Sequence, residues 1–294
     1  MEVDKERENI NKIARERIRE LAKTINVEEC PMLADRIKAE DEKVESEEFH
    51  EDCYGPYDDD SLGAWAQDLV TAEKQGTKLP REVEDFVIWA MENDPIDTIG
   101  SSENFIGACY YEGQIFHQDY EKAEKYYLRA AEIGNEDAIE NLGYVYYYGR
   151  TGEPDYEKAY RYFSLGAFAG RLISKYKIGD MFLNGYYVEK DEKEALRIYK
   201  NCIRLIESDM YVDEDEYFFP STVYGSVCLR LANMYFDGIG VSKDIWLAME
   251  YYTKSAKNLF KSVSNGEFMY QKSLEDAING QQKCLKEFKK EDQR

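Results

Sequence analysis

His50 with Cys53, and His117 near Cys109, are the places where imidazole and thiol groups come closest along the chain, and there a metal or a nucleophile would be sought first. Neither place supplies a tetrahedral ligand set at a known spacing. Both histidines fall where loops are expected, and no nucleophile elbow or local signature surrounds a Ser, Cys or His. Gly238 and Gly240 lack the lysine of a phosphate-cradling loop. Asp213, Glu214, Asp215 and Glu216 resemble part of a calcium loop, but its glycine and closing glutamate are missing at their spacings. These residues predict no catalytic site, no cofactor and no structural metal. Weak calcium binding at the acidic run stays open, and an enzyme would have to carry its chemistry in the divergent first hundred residues.

The elements that would position any functional side chain are set by a repeat. Residues 107–134 read GACYYEGQIFHQDYEKAEKYYLRAAEIG, and the pattern returns three more times. One column holds Gly107, Gly143, Gly179 and Ala232, and a second, three residues on, holds Tyr110, Tyr146, Phe182 and Tyr235. Later columns hold Gly113, Gly149, Gly185 and Gly238, then Asp119, Asp155, Asp191 and Asp244. The last two hold Ala123, Ala159, Ala195 and Ala248, then Tyr126, Tyr162, Ile198 and Tyr251. A small residue with an aromatic one turn later gives a first helix a flat patch and a knob. The second glycine suits the left-handed residue that ends a helix, and Asp suits the cap that starts the next. The alanine and the aromatic behind it form one stripe, predicting a second helix packed antiparallel on the first. A lone hairpin cannot bury such a stripe, so the copies must stack.

The combination of Leu142-Gly143, Tyr146, Gly149, Asp155, Lys158-Ala159 and Tyr162-Phe163 resembles the Sel-one-like repeat, a longer-period relative of the tetratricopeptide repeat. The fourth copy adds the fuller loop Gly238-Ile239-Gly240-Val241 followed by Asp244, while the first three lack it and the third has Cys202-Ile203 in place of paired alanines. The resemblance implies an all-α fold, a right-handed superhelical solenoid of α/α hairpins with terminal capping helices, used as a scaffold or adaptor. Carried onto this sequence, the related family's groove positions fall on Asn104, Tyr111, Glu140, Tyr144, Tyr147, Tyr176, Asp180, Asn233 and Phe236. Tyrosine joins a large apolar face to a polar tip with few rotors to freeze, which suits an interface.

Four segments follow. Residues 1–60 form an acidic helical stretch and linker, 61–100 a helix pair read as a cap or a degenerate repeat, 101–261 the four repeats, and 262–294 a capping helix with a basic tail. An insertion at 207–222 holds six acids, no base, and the aromatics Tyr217, Phe218 and Phe219, a secondary patch for a partner or for local packing. The formal net charge is −22, concentrated in the first 60 residues and in that insertion. Such a chain is repelled by nucleic-acid phosphates and anionic lipid, so neither is an expected partner. Six cysteines without a CxxC pair read as free thiols, and residues 1–10 have no apolar leader core, so a cytoplasmic location is expected, with export by a signal-less route left open.

The reading is a protein that binds a peptide or helix of another protein in a tyrosine-lined groove. The rival within the binding class is an acidic inhibitor or immunity-type protein masking a basic surface.

Overall fold

The computed structural model describes residues 82–93, 100–113, 116–208, 220–264 and 268–291, with Ile13, Glu16, Arg17 and Glu20. The first helix of the pair expected over 61–100 and the acidic-aromatic patch of Asp213, Glu214, Asp215, Glu216, Phe218 and Phe219 lie outside the described residues. Two compact units divide the chain, residues 1–154 and 155–294.

The first unit contains α1 (Glu82–Glu92), α2 (Ser101–Glu112), α3 (Tyr120–Ile133) and α4 (Glu136–Tyr147). The second contains α5 (Tyr156–Phe168), α6 (Leu172–Asn184), α7 (Glu192–Glu207), α8 (Pro220–Asp237), α9 (Ile245–Ser264), a 3-10 turn at Phe268–Tyr270, and α10 (Gln271–Glu291). Among the described residues the regular structure is entirely helical. The insertion is shorter than its sequence limits, since α7 runs to Glu207 and α8 begins at Pro220.

Helix ends follow the repeat columns. Gly113, Gly149, Gly185 and Gly238 take φ of 70, 60, 73 and 76°, the left-handed conformation that costs other residues a Cβ clash. Asp119 accepts a hydrogen bond from the Lys122 N–H, Asp155 from Lys158, Asp191 from Lys193 and Glu194, and Asp244 from Leu247. Each carboxylate thus satisfies helix N–H groups that would otherwise be orphaned.

Packing within a hairpin differs from the expected stripe by one residue. A Cβ on Gly107 would stand 2.7 Å from the Tyr127 ring, and one on Gly179 2.7 Å from Tyr199. The aromatics that fill the buried face are therefore Tyr127, Phe163, Tyr199 and Tyr252, each 2 % exposed or less. They lie four residues beyond the buried alanines, on the same helix face, whereas a step of three turns toward the flank. The predicted column serves that flank: Tyr126 stacks on Tyr110 at 5.9 Å and Tyr251 on Tyr235 at 5.8 Å.

The hairpins of the second unit meet through two different joints. Gly240, φ 65°, comes so close to the Glu192 backbone that a Cβ would stand 2.6 Å from its carbonyl oxygen. The corresponding residue one hairpin earlier is Tyr187, also at φ 65°, with its ring 5.6 Å from Tyr160. Its neighbour Tyr186 stacks on Tyr156 at 4.2 Å.

At the C-terminus, α10 packs on α9 with Leu274, Ala277, Gly280 and Cys284 buried, and the Tyr252 ring leaves no room for a Cβ on Gly280. Met269 in the 3-10 turn and Ile278 on α10 are 79 % and 41 % exposed. This helix runs on to Glu291 and carries Lys289 and Lys290 in its last turn. Near the other end, the Arg17 guanidinium lies 4.5 Å from the Trp89 ring of α1.

Candidate protein-binding surface

The surface in the first unit starts from how α4 ends. The Gly149 N–H donates to the Tyr146 carbonyl at 3.3 Å and the Arg150 N–H to that of Val145 at 2.9 Å, the paired bonds of a Schellman cap. Residues 152–154 fold back so tightly that a Cβ on Gly149 would stand 2.6 Å from the Pro154 nitrogen. Arg150 is thereby held in a fixed place just past the helix. The equivalent residues after α6 and α8 are Tyr186 and Ile239, whose N–H groups make the same bond to Met181 and Met234.

Arg150 is exposed, and its Nε donates to the Tyr111 hydroxyl at 3.0 Å. Its guanidinium carbon lies 5.5 Å from the Tyr111 ring centroid and 5.3 Å from those of Tyr120 and Tyr148, within cation–π range. Tyr111 meets Tyr120 edge-on at 5.3 Å. Tyr148 stacks on Tyr144 at 6.0 Å and meets Tyr147 edge-on at 5.1 Å. Tyr111, Tyr144 and Tyr147, placed at the groove by resemblance, thus join one connected set of rings with Tyr120, Tyr148 and Arg150. Those last three were not singled out from sequence. The signal that marks two of them is the run from Tyr146 to Arg150, where three tyrosines precede the cap glycine and an arginine follows it.

The remaining positions fall in different surroundings. The Asn104 side-chain oxygen accepts from Asn141 Nδ2 at 3.0 Å, joining α2 to α4, and Glu140 is 5 % exposed. In the second unit Tyr176 and Asp180 are 7 % and 6 % exposed. Asp180 accepts from Nε and Nη2 of Arg230 and from the Tyr199 hydroxyl, and Lys177 Nζ lies 3.7 Å away. Burial alone would push the Asp180 carboxyl up, but Arg230, Lys177 and the Tyr199 hydroxyl together hold it below its ordinary value. The Arg230 guanidinium also lies 4.7 Å from the Tyr176 ring. Asn233 is exposed and accepts from the Tyr252 hydroxyl at 2.6 Å, and the half-buried Phe236 ring has Lys243 Nζ 5.0 Å from its centroid.

Cys109, Cys202, Cys228 and Cys284 are free and buried. Burial pushes the Cys202 and Cys228 thiols up to about 12, so neither is a ready nucleophile. Among the described residues no cluster of three or more His, Cys, Asp or Glu is arranged to hold a metal ion. No described helix is long and apolar enough to cross a membrane.

Helix pairs that repeat their caps and their small-residue contacts define an all-α repeat solenoid. The sequence model of the Sel1 repeat matches at residues 100–135, 136–169, 173–201 and 226–258, and the chain is a Sel1-like repeat protein. It is similar to the crystal structure of a Sel1 repeat protein from Oxalobacter formigenes, with 21 % identity, a TM-score of 0.49, and coverage of 67 % of this chain and 73 % of that one. It is also similar to c5321, a protective antigen of uropathogenic Escherichia coli strains displaying an SLR fold. The identity there is 19 % and the TM-score 0.47, and the alignment covers 77 % of this chain and 50 % of that one. No curated protein matches the chain.

Proposed function

We propose that this protein is a non-catalytic scaffold or adaptor that holds a peptide or helix of another protein against its tyrosine-lined face. Sel1 repeats generally mediate protein–protein interaction and typically serve as non-catalytic scaffolds, which supports the class of activity. The single observation that carries the reading is the connected set of Tyr111, Tyr120, Tyr144, Tyr147 and Tyr148, none of them buried. Half-accessible tyrosines beside an arginine have the composition of an interface hot spot. Asn104 is a further proposed contact position on the first unit, and on the second unit, taken by itself, the exposed Asn233 and the half-buried Phe236 are proposed contact positions. Tyr176 and Asp180, buried and meeting Arg230, serve by fixing the helices that carry them, and Glu140 is buried as well. The free thiols support a reducing, cytoplasmic setting.

Affinity capture from the native cell, with partners identified by mass spectrometry, tests the reading. The double variant Tyr144→Ala with Tyr147→Ala is expected to lose the captured partner while helicity and melting temperature stay nearly unchanged. Partner retention by a folded double variant refutes the assignment of these two side chains, and equal loss of fold identifies them as core.

A further inference from the structure

Resting on that reading, we propose that Arg150 is the receptor for a side-chain carboxylate, an Asp or Glu flanked by apolar residues in the bound segment. Three observations lead there. First, the residue after a Schellman glycine commonly packs an apolar side chain back on its helix, as the Tyr and Ile at the equivalent positions allow, and here the position carries an exposed arginine. Second, residues 101–154 hold ten acidic and four basic side chains, yet Arg150 pairs with no carboxylate among the described residues. Arg129 pairs with two, Arg161, Arg197 and Arg230 with one each, and Arg204 donates instead to Asn201. Third, Arg150 is committed only through Nε, to the Tyr111 hydroxyl, which leaves Nη1 and Nη2 without a hydrogen-bond partner among the described residues.

Three tyrosine rings at 5.3 to 5.5 Å restrict the guanidinium without neutralising it. A held, planar fork suits the two oxygens of a carboxylate, and the rings suit an apolar neighbour on the same ligand. The local excess of acid disfavours a phosphate dianion or a run of acidic residues more than it does one carboxylate between basic flanks. Chain termini are commonly captured by nests of backbone N–H groups. The N–H groups of Gly149, Arg150 and Gly152 are already spent on carbonyls, so a side chain is the fitting source.

The test is an NMR titration of the full chain with blocked peptides, following the Arg150 Nε–Hε resonance. The probe is acetyl-Lys-Phe-Glu-Phe-Lys-amide. The controls replace Glu by Gln, or combine Gln with a free C-terminal carboxylate. The Glu peptide is expected to shift the resonance saturably and to bind about tenfold or more tightly than its Gln counterpart, a ratio ordinary for one charged hydrogen-bonded contact. Arg150→Gln, followed through the Tyr111 and Tyr148 rings, is expected to erase that preference, and Arg150→Lys, which keeps charge without the fork, to reduce it. The proposal falls if Glu and Gln peptides bind alike, if no peptide gives a saturable shift, or if the folded Arg150→Gln variant keeps the preference. A stronger response to the free C-terminus, or an equal one to inorganic phosphate at matched ionic strength, overturns the side-chain source. Should these fail while the Tyr144/Tyr147 variant still loses its captured partner, the carboxylate site is wrong and the scaffold reading survives.

Discussion

Asp180 illustrates how far a single side chain escapes prediction from sequence. The repeat columns put it one residue past Gly179, at a groove position, but its main partner Arg230 lies 50 residues away, beyond the reach of spacing arguments. The pairing buries one carboxylate against two cations and a phenol, and removing the carboxylate leaves those cations uncompensated. Asp180→Asn is expected to destabilise the fold by about 3–5 kcal/mol, read by urea unfolding at neutral pH. The sign of the pH dependence follows from the lowered carboxyl. Its stabilisation is fully present above the unfolded value of about 4 and is lost as pH falls through the lower, folded value. The gap between wild type and variant should therefore be flat from about pH 5 to pH 8 and close below about pH 4. A gap that persists in acid, or a variant as stable as wild type, would show that the pair does not hold these helices together.

At the scale of the element, the helix ends were legible because few residues satisfy their geometry. Glycines at φ 60 to 76° and aspartates accepting backbone N–H bonds stand where the columns put them. The buried aromatic was displaced by one because Tyr126-Tyr127, Tyr162-Phe163 and Tyr251-Tyr252 are adjacent aromatics, and sequence does not say which of two neighbours turns inward. Arg150 and its rings were missed for a related reason: the columns record what copies share, and an arginine found in one copy has no column. The close approach of α6 and α7 gives a direct check. Gly179→Ala puts a methyl group 2.7 Å from the Tyr199 ring and is expected to cost about 1–3 kcal/mol in chemical unfolding. Unchanged stability would mean that the hairpin is not closed through this contact.

Over the whole molecule, sequence made the class clear and left the partner open. Net charge is a bulk property and shows directly in composition, but the segments that carry most of the net negative charge lie outside the described part of the chain. That distribution favours a measurable distinction. If the acidic segments mask a basic surface, affinity for the captured partner should fall steeply between about 50 and 200 mM salt, and neutralising Asp213 to Glu216 should weaken it further. A complex indifferent to salt would remove the masking role and leave the aromatic face as the source of affinity. The unlike joints in the second unit bear on how the array was built and how it can change. Gly240 lies against the Glu192 carbonyl, whereas its counterpart Tyr187 carries a phenol beside Tyr160. A duplicate of the third hairpin set in fourth place would put a tyrosine Cβ 2.6 Å from the Glu192 carbonyl oxygen, so the hairpins are not interchangeable. Unequal recombination can lengthen an array of identical copies at will, but here each added copy would need its loop rewritten, and the order of the hairpins is part of the information the gene must keep.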